Sequence, residues 1–266
     1  MTVHSYQQFL EQVIAERGPD HPIWADNSKT SGRELGELCG LHVPEVYQGP
    51  CSLRRMTPPE HDAVIKPVEG CSGRGIRPLR WAGDGRFTDL FTGESVSWGE
   101  AVASAMADKH SPRNLKLLKE GHPDAMRPPW LLEELILNES GGLVCDWKAF
   151  CFGGRVEAVF QMVRTPGEKT KQVKWWSREW EDVGDIAPVK PWVYTPGLEG
   201  PHDPGRLTAA FESVADLVDS PFIRVDLYEQ PDRVVFGEVT PHPTGGTVRF
   251  VPEWDRRFGV AWAAVV

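Results

Sequence analysis

Nowhere in the 266-residue sequence is there an apolar run of the roughly 18 residues a membrane-spanning helix needs. The first twenty residues lack a basic stretch followed by a long apolar core, so no secretory leader is expected. The five cysteines (Cys39, Cys51, Cys71, Cys145 and Cys151) are odd in number and include no C-x-x-C pair. That argues against a disulfide framework and a structural zinc site, and for reduced thiols in a cytoplasmic protein. Basic charge is also short. A net charge of -9 excludes a general affinity for the nucleic-acid backbone, though not a local basic cluster. G-x-S-x-G and H-E-x-x-H are absent, and no two of the eight histidines stand four apart. There is no internal repeat and no low-complexity tract.

What remains is an ordinary globular composition, 40% hydrophobic and 25% charged. The length suits one large domain or two small lobes sharing a cleft. Twenty-three prolines and 26 glycines point to many turns and defined loops, not to a helical bundle. The eleven tryptophans read as core and loop anchors, with a few available to line a pocket.

Tyr6, Phe9, Leu10, Val13 and Ile14 recur at helical spacing, so a helix is expected over about 4–17. A second is expected over 26–39, with Gly40 at its C-terminal cap. A proline-rich connection then leads to a short strand, Ala63 to Lys66, and a strand beginning near Gly75. Ser97 and Glu100 have capping-box spacing and should open a helix to about Lys109, with Ala101, Val102, Ala105 and Met106 on one face. The polar, basic segment to Pro129 reads as an irregular loop. Strands follow at Trp130–Leu137, Trp147–Phe152 and Arg155–Arg164, the last two flanking the hairpin signal Gly153-Gly154. A helix over 205–219 precedes two strands, Phe222–Glu229 and Arg233–Thr240, joined by a turn at Gln230-Pro231-Asp232. A last helix covers about 253–264. Few, separated helices and antiparallel hairpins make an α+β chain. Three parts are expected: 1–60, mostly helix and linker; 61–129, a small lobe; and 130–266, a large one.

Four segments carry chemistry. In VIKPVEGCSGRGI (Val64 to Ile76) Lys66 ends an apolar strand and Gly70, Gly73 and Gly75 follow. Glycines let backbone amides approach an anion, and the lysine adds a full charge. A plain surface turn is the alternative, and the G-K-[ST] ending of a Walker loop is missing. In the last two strands, period-two alternation puts Arg224 with Asp226 on one face, and Phe236, Glu238 and Thr240 together. Paired in a hairpin, Asp226 and Glu238 would repel unless a hard divalent cation such as magnesium joined them. Alternatively one carboxylate meets solvent and the other pairs with Arg224 or Arg233. Trp130 to Glu139 is an apolar strand broken by Glu133 and Glu134; it suits an adenine-binding hinge or an edge strand with exposed acids. Lys148 shares a strand face with Phe150 and Phe152, and either snorkels to the surface or reaches into a cleft. His242, between two prolines, is either a loop histidine or a border of the site.

Taken in order, these pieces resemble the ATP-grasp superfamily over roughly residues 25–260. VIKPVEGCSGRGI resembles the lysine strand and flexible glycine-rich loop, and WLLEELILNE the hinge. FIRVDLY and FGEVTPHPTGG resemble the R-x-D and E-x-N-x-x-P-G elements of D-alanine–D-alanine ligase relatives. The TupA-like branch is closest, through Ala25-Asp26-Asn27, Asp146 to Gly154, and the R-x-D-x-Y and G-E-x-T stretches. The resemblance implies two α+β lobes with largely antiparallel sheets gripping ATP. It implies that Lys66, Lys148, Gly70, Ser72, Gly73 and Gly75 contact phosphates, with Arg164 a further phosphate residue. Glu133, Glu134 and Ile136 would form the adenine hinge, and Glu139 would reach the ribose. Asp226 and Glu238 would hold Mg2+, with Thr240 where the usual asparagine stands, and Arg224 would steady the acyl phosphate. The implied activity is ligation: MgATP activates a small-molecule or peptide carboxylate, and an amine captures it. A kinase of the same fold and a nucleotide-binding module without turnover are the rivals. No nucleic acid or membrane partner is expected, and the assembly is left open, a homodimer included. The part before the lysine strand is short, about 60 residues, so substrate recognition does not carry over.

Overall fold

The computed structural model describes residues 4–17, 21, 23, 27, 29–30, 32–68, 73–109, 129–168 and 170–266. Its first elements are helices α1 (Tyr6–Glu16) and α2 (Arg33–Leu38), then strands β1 (Val46–Cys51), β2 (Ala63–Pro67), β3 (Arg77–Trp81), β4 (Arg86–Asp89) and β5 (Ser95–Ser97). Helix α3 (Trp98–Lys109) and strands β6 (Trp130–Glu134), β7 (Asp146–Phe152), β8 (Arg155–Arg164), β9 (Lys171–Ser177) and β10 (Trp192–Tyr194) follow. The chain ends with α4 (Pro204–Leu217), β11 (Phe222–Glu229), β12 (Val234–Thr240) and α5 (Pro252–Ala263). These elements form two compact units. The larger comprises Met1–Val43, Val144–Arg164 and Lys169–Val266, the smaller Pro44–Leu143 and Thr165–Glu168.

The smaller unit is built on an antiparallel six-stranded sheet in the order β1-β6-β2-β3-β4-β5. Alternation decides its faces. Ile65 stands opposite Leu132, and both enter a core with Ala63, Leu79, Phe87, Ala101 and Ala105, beneath α3. Lys66, Val64 and Glu133 occupy the other face, as their register requires. The Ser97 hydroxyl accepts from the Glu100 amide at 3.3 Å, while the Glu100 carboxylate accepts from the Ser97 amide at 2.7 Å; the capping box starts α3 as expected.

The larger unit has a second six-stranded sheet, β10-β9-β8-β7-β11-β12, antiparallel except for the parallel β10–β9 pair. Both of its faces carry apolar cores. Trp147, Ala149, Ile223, Val225 and Leu227 pack with Leu207, Phe211 and Val214 of α4. On the reverse face Phe150, Phe152, Phe160, Trp175 and Phe222 pack with Tyr6 and Leu10 of α1 and Trp254, Phe258 and Trp262 of α5. Ser5 caps α1 reciprocally with Gln8.

Several expectations need correction. The proline-rich connection holds a strand, β1, because Val46 to Cys51 pairs with β6 despite its Gly-Pro step. β3 begins at Arg77, two residues later than expected. β4, β5, β9 and β10 were not anticipated. β6 stops at Glu134 and belongs to the β2 sheet, so the division falls at Leu143 instead of 129. Of the helix expected over 26–39, Arg33–Leu38 is described; Gly40, at φ +67°, ends it with a bond from the Leu41 amide to the Gly36 carbonyl. Gly70, Ser72 and most of the 110–129 segment lie outside the described residues.

Candidate functional site

The residues singled out by sequence fall into one group in each unit. In the larger unit, β11 and β12 meet in antiparallel register with Asp226 opposite Glu238 and Arg224 opposite Thr240. Directly opposed residues share a face, so the two carboxylates converge. β7 adds Lys148, which stands opposite Asp226 from the other side. A register shift follows Asp226, and Gly237 lies against it: a Cβ there would stand 2.7 Å from the Asp226 carbonyl oxygen, so a side chain would push this bend open.

Asp226 is only 3% exposed, and both of its carboxylate oxygens accept hydrogen bonds. Arg224 donates from Nε to Oδ1 and from Nη2 to Oδ2, both at 2.6 Å. Lys148 Nζ donates to Oδ2, also at 2.6 Å. Arg224 Nη2 further reaches the Thr240 hydroxyl at 2.9 Å and lies 3.8 Å from Glu238. Lys29 sits 3.6 Å from Glu238, and Asp146 3.6 Å from Lys148. Burial alone would raise the Asp226 carboxyl pKa, but the Arg224 and Lys148 charges outweigh it and hold the group below its ordinary value. Burial pulls Lys148 down, and Asp146 and Asp226 more than reverse that. Asp226 and Glu238 thus stand opposite each other, and the pairing of one carboxylate with Arg224, the alternative read from sequence, is present on Asp226. Lys148 neither snorkels nor projects freely.

Does this donor set fit a divalent cation? Asp226 and Glu238 are hard oxygen donors at facing positions, with the Thr240 hydroxyl one strand step away, and Glu238 keeps a third of its side chain exposed. The fit is to a site completed by ligand or water oxygens, since no group of three metal-ligating side chains occurs among the described residues.

A cation of the larger sheet, Lys171, was not found from sequence. Lys171 stands opposite Arg164 on β8–β9, a like-charged pair that neutral surroundings would not favour. Burial, and then Arg164, lower the Lys171 pKa to about 8. Only the register reveals this pair. His242 accepts from Arg17 Nη1 at 3.0 Å; burial, then Arg17 and His21, lower its pKa to about 4.

In the smaller unit Lys66 forms an ion pair with Glu133, diagonally across β2 and β6. Glu133 is 4% exposed. The Glu134 carboxylate accepts from the Glu45 amide at 3.2 Å. Ile136 is buried, and Glu139 is exposed in the turn that follows. The described end of the glycine-rich segment is fixed from α3, where Asp108 accepts from the Gly75 amide at 2.8 Å and from Arg77 at 3.2 Å. Gly75 has φ +80°, and a Cβ there would lie 2.9 Å from the Trp130 ring, so only glycine fits.

An α+β chain with two such sheets, a lysine and glycine segment on one and an R-x-D strand beside a G-E-x-T strand on the other, has the makeup of an ATP-grasp protein. The sequence model of the family described as TupA-like ATPgrasp matches residues 55–262, and the chain belongs to that family. No curated protein sequence matches it. Among solved structures, it is similar to the ATP-grasp ligase PsnB in complex with a phosphomimetic variant of its minimal precursor, Mg and ADP, with 13% identity and a TM-score of 0.44. That likeness covers 90% of this chain and 58% of that one, so the chain spans less than two thirds of its length. D-cycloserine synthetase DcsG gives 14% identity and a TM-score of 0.47 over 97% of this chain and 77% of its own. D-Alanine-D-Alanine Ligase from Helicobacter pylori gives 13% and 0.44 over 91% and 59%.

Proposed function

We propose that the protein is an ATP-dependent ligase that activates a carboxylate as an acyl phosphate and transfers the acyl group to an amine. The observation that carries this reading is the facing pair Asp226 and Glu238, held beside Lys148 and Arg224 on one sheet face. Lys29, Lys148 and Arg224 offset Glu238, Asp226 and Asp146, so the cluster is balanced by itself. Magnesium, when bound by Asp226 and Glu238, would offset charge on the phosphoryl oxygens. Arg224 and Lys148, released from Asp226, then have donors for those oxygens. Lys66 and the glycine-rich segment are assigned to phosphate contacts, with Arg164 and Lys171 as further cations. The segment Glu133 to Ile136 is assigned to adenine and Glu139 to the ribose.

In the reaction, a substrate carboxylate oxygen attacks the γ-phosphorus, the bond to the β-phosphate oxygen breaks, and ADP leaves. The amine lone pair then attacks the acyl carbon, phosphate departs, and the amine proton passes to water. Arg224 presents a planar donor to the oxyanion of that second step, where preorganised charge counts most. Such chemistry asks mainly for positioning and electrostatics.

Incubation with MgATP and a pooled library of amino acids and short peptides tests the reading. Mass spectrometry should find condensed products in step with ADP, absent when either the carboxylate or the amine is left out. A stable phosphorylated compound would replace the ligase with a kinase. Nucleotide binding without any turnover would leave a binding module.

A further inference from the structure

Arg17, at the C-terminal end of α1, is a half-buried cation among neutral partners. Its Nη2 donates to the Ser220 hydroxyl at 2.8 Å and its Nη1 to the His242 ring at 3.0 Å. A guanidinium carries five N–H donors and stays charged. Among the described residues no carboxylate pairs with Arg17, and burial lowers its pKa. A buried charge ordinarily acquires an opposite partner.

Its two partners fix where this charge sits. Ser220 precedes β11 by two residues and His242 follows β12 by two, so both lie just past the Arg224–Thr240 end of the strand pair. At about 3.5 Å of reach per residue, the His242 Cα is within about 7 Å of the Thr240 Cα. The next segment is strained. Thr244, a β-branched residue, has φ +51° and ψ 34°, and Gly245 follows at φ +63°. A β-branched residue in the left-handed region costs on the order of 1–3 kcal/mol, and such outliers gather at ligand sites. The Thr244 hydroxyl donates to the Pro243 carbonyl at 2.7 Å.

We propose that Arg17, with Ser220 and His242 holding its guanidinium, is the subsite for a carboxylate that the substrate carries away from the reacting centre. The substrate class is then an amino acid or peptide with a free carboxylate besides the group that reacts, and the planar fork of Arg17 accounts for the selection. This use rests on the ligase reading; the carboxylate binding itself does not. Arg17 is also a tether from α1 to the sheet, so the test must read something a tether would not change.

Succinate, titrated at constant ionic strength against isotope-labelled protein, should shift the Arg17 side-chain and Ser220 amide signals saturably by NMR. Arg17→Gln should weaken succinate at least tenfold and Arg17→Lys severalfold, while both bind Mg-ADP like the wild type. The lysine variant keeps the charge should the glutamine variant fail to fold. No saturable shift, or equal succinate affinity in the variants, overturns the subsite. If succinate fails while Mg-ADP binds, the subsite falls and the ligase reading stands. If succinate binds in this pattern and Mg-ADP does not, the subsite stands and the ligase reading falls.

Discussion

On the smaller sheet Lys66 and Glu133 join one cation to one carboxylate across two strands, whereas on the larger sheet Asp226 takes both Arg224 and Lys148. Cutting the first arrangement removes the Lys66–Glu133 ion pair. The second strands two cations at once, one of them already bidentate. The larger sheet carries apolar cores on both faces, so its charged patch is an interruption in a packed surface. Buried polar clusters of that kind cost stability unless every member is satisfied, and here a ligand is expected to change which member satisfies which.

The largest effect should come from cutting the shared carboxylate. Asp226→Ala should abolish ligation-coupled ADP release, at least about 1,000-fold, and lower unfolding stability by about 3–5 kcal/mol, read by urea denaturation. Since the Asp226 pKa lies below its ordinary value, its stabilisation is present above the unfolded carboxylate pKa of about 3.9 and is lost as pH falls through the lower folded value. The stability gap between wild type and Asp226→Asn should therefore close below about pH 4. A gap constant down to pH 2 would place the effect in packing instead of charge. Glu133→Gln tests the other side of the comparison. It should cost about 1–3 kcal/mol, less than the first change, and weaken ATP about tenfold in a titration.

The difference between the units also shows in what the sequence disclosed. β11 alternates cleanly, so the face of Arg224 and Asp226 and its meeting with Glu238 were readable. The register shift after Asp226 was not, and it turns Phe236, expected beside Glu238 and Thr240, to the other face, opposite Leu227 in the apolar core. β9 was hidden because Lys171 and Lys174 interrupt its pattern; Lys174 is buried and donates to the Pro196 and Leu198 carbonyls at 2.7 and 3.1 Å. β1 was hidden by its Gly-Pro step, and β5 and β10 are three residues long, too short for a period to show. Arg17 and Lys171 became candidates only through partners more than 200 residues away or on a neighbouring strand. Local spacing carries no record of such partners.

Smaller changes refine the contrast. Gly75→Ala meets the Trp130 ring and a left-handed φ, and should cost about 1–2 kcal/mol in the smaller unit's stability. Lys171 is a cation held at about 8, so its charged form opposes folding at neutral pH and that penalty fades as pH rises through 8. Lys171→Met should accordingly stabilise the protein by on the order of 1 kcal/mol at pH 7, discounted for partial exposure, and the gain should shrink by pH 10. A destabilised variant would mean that Lys171 has a compensating partner.

Calorimetric titration of ADP, with magnesium and then with a chelator, against wild type and Glu238→Gln tests the centre of this account. Magnesium-dependent binding that weakens at least tenfold in Glu238→Gln is the predicted result. Binding that ignores both the metal and the substitution would contradict it.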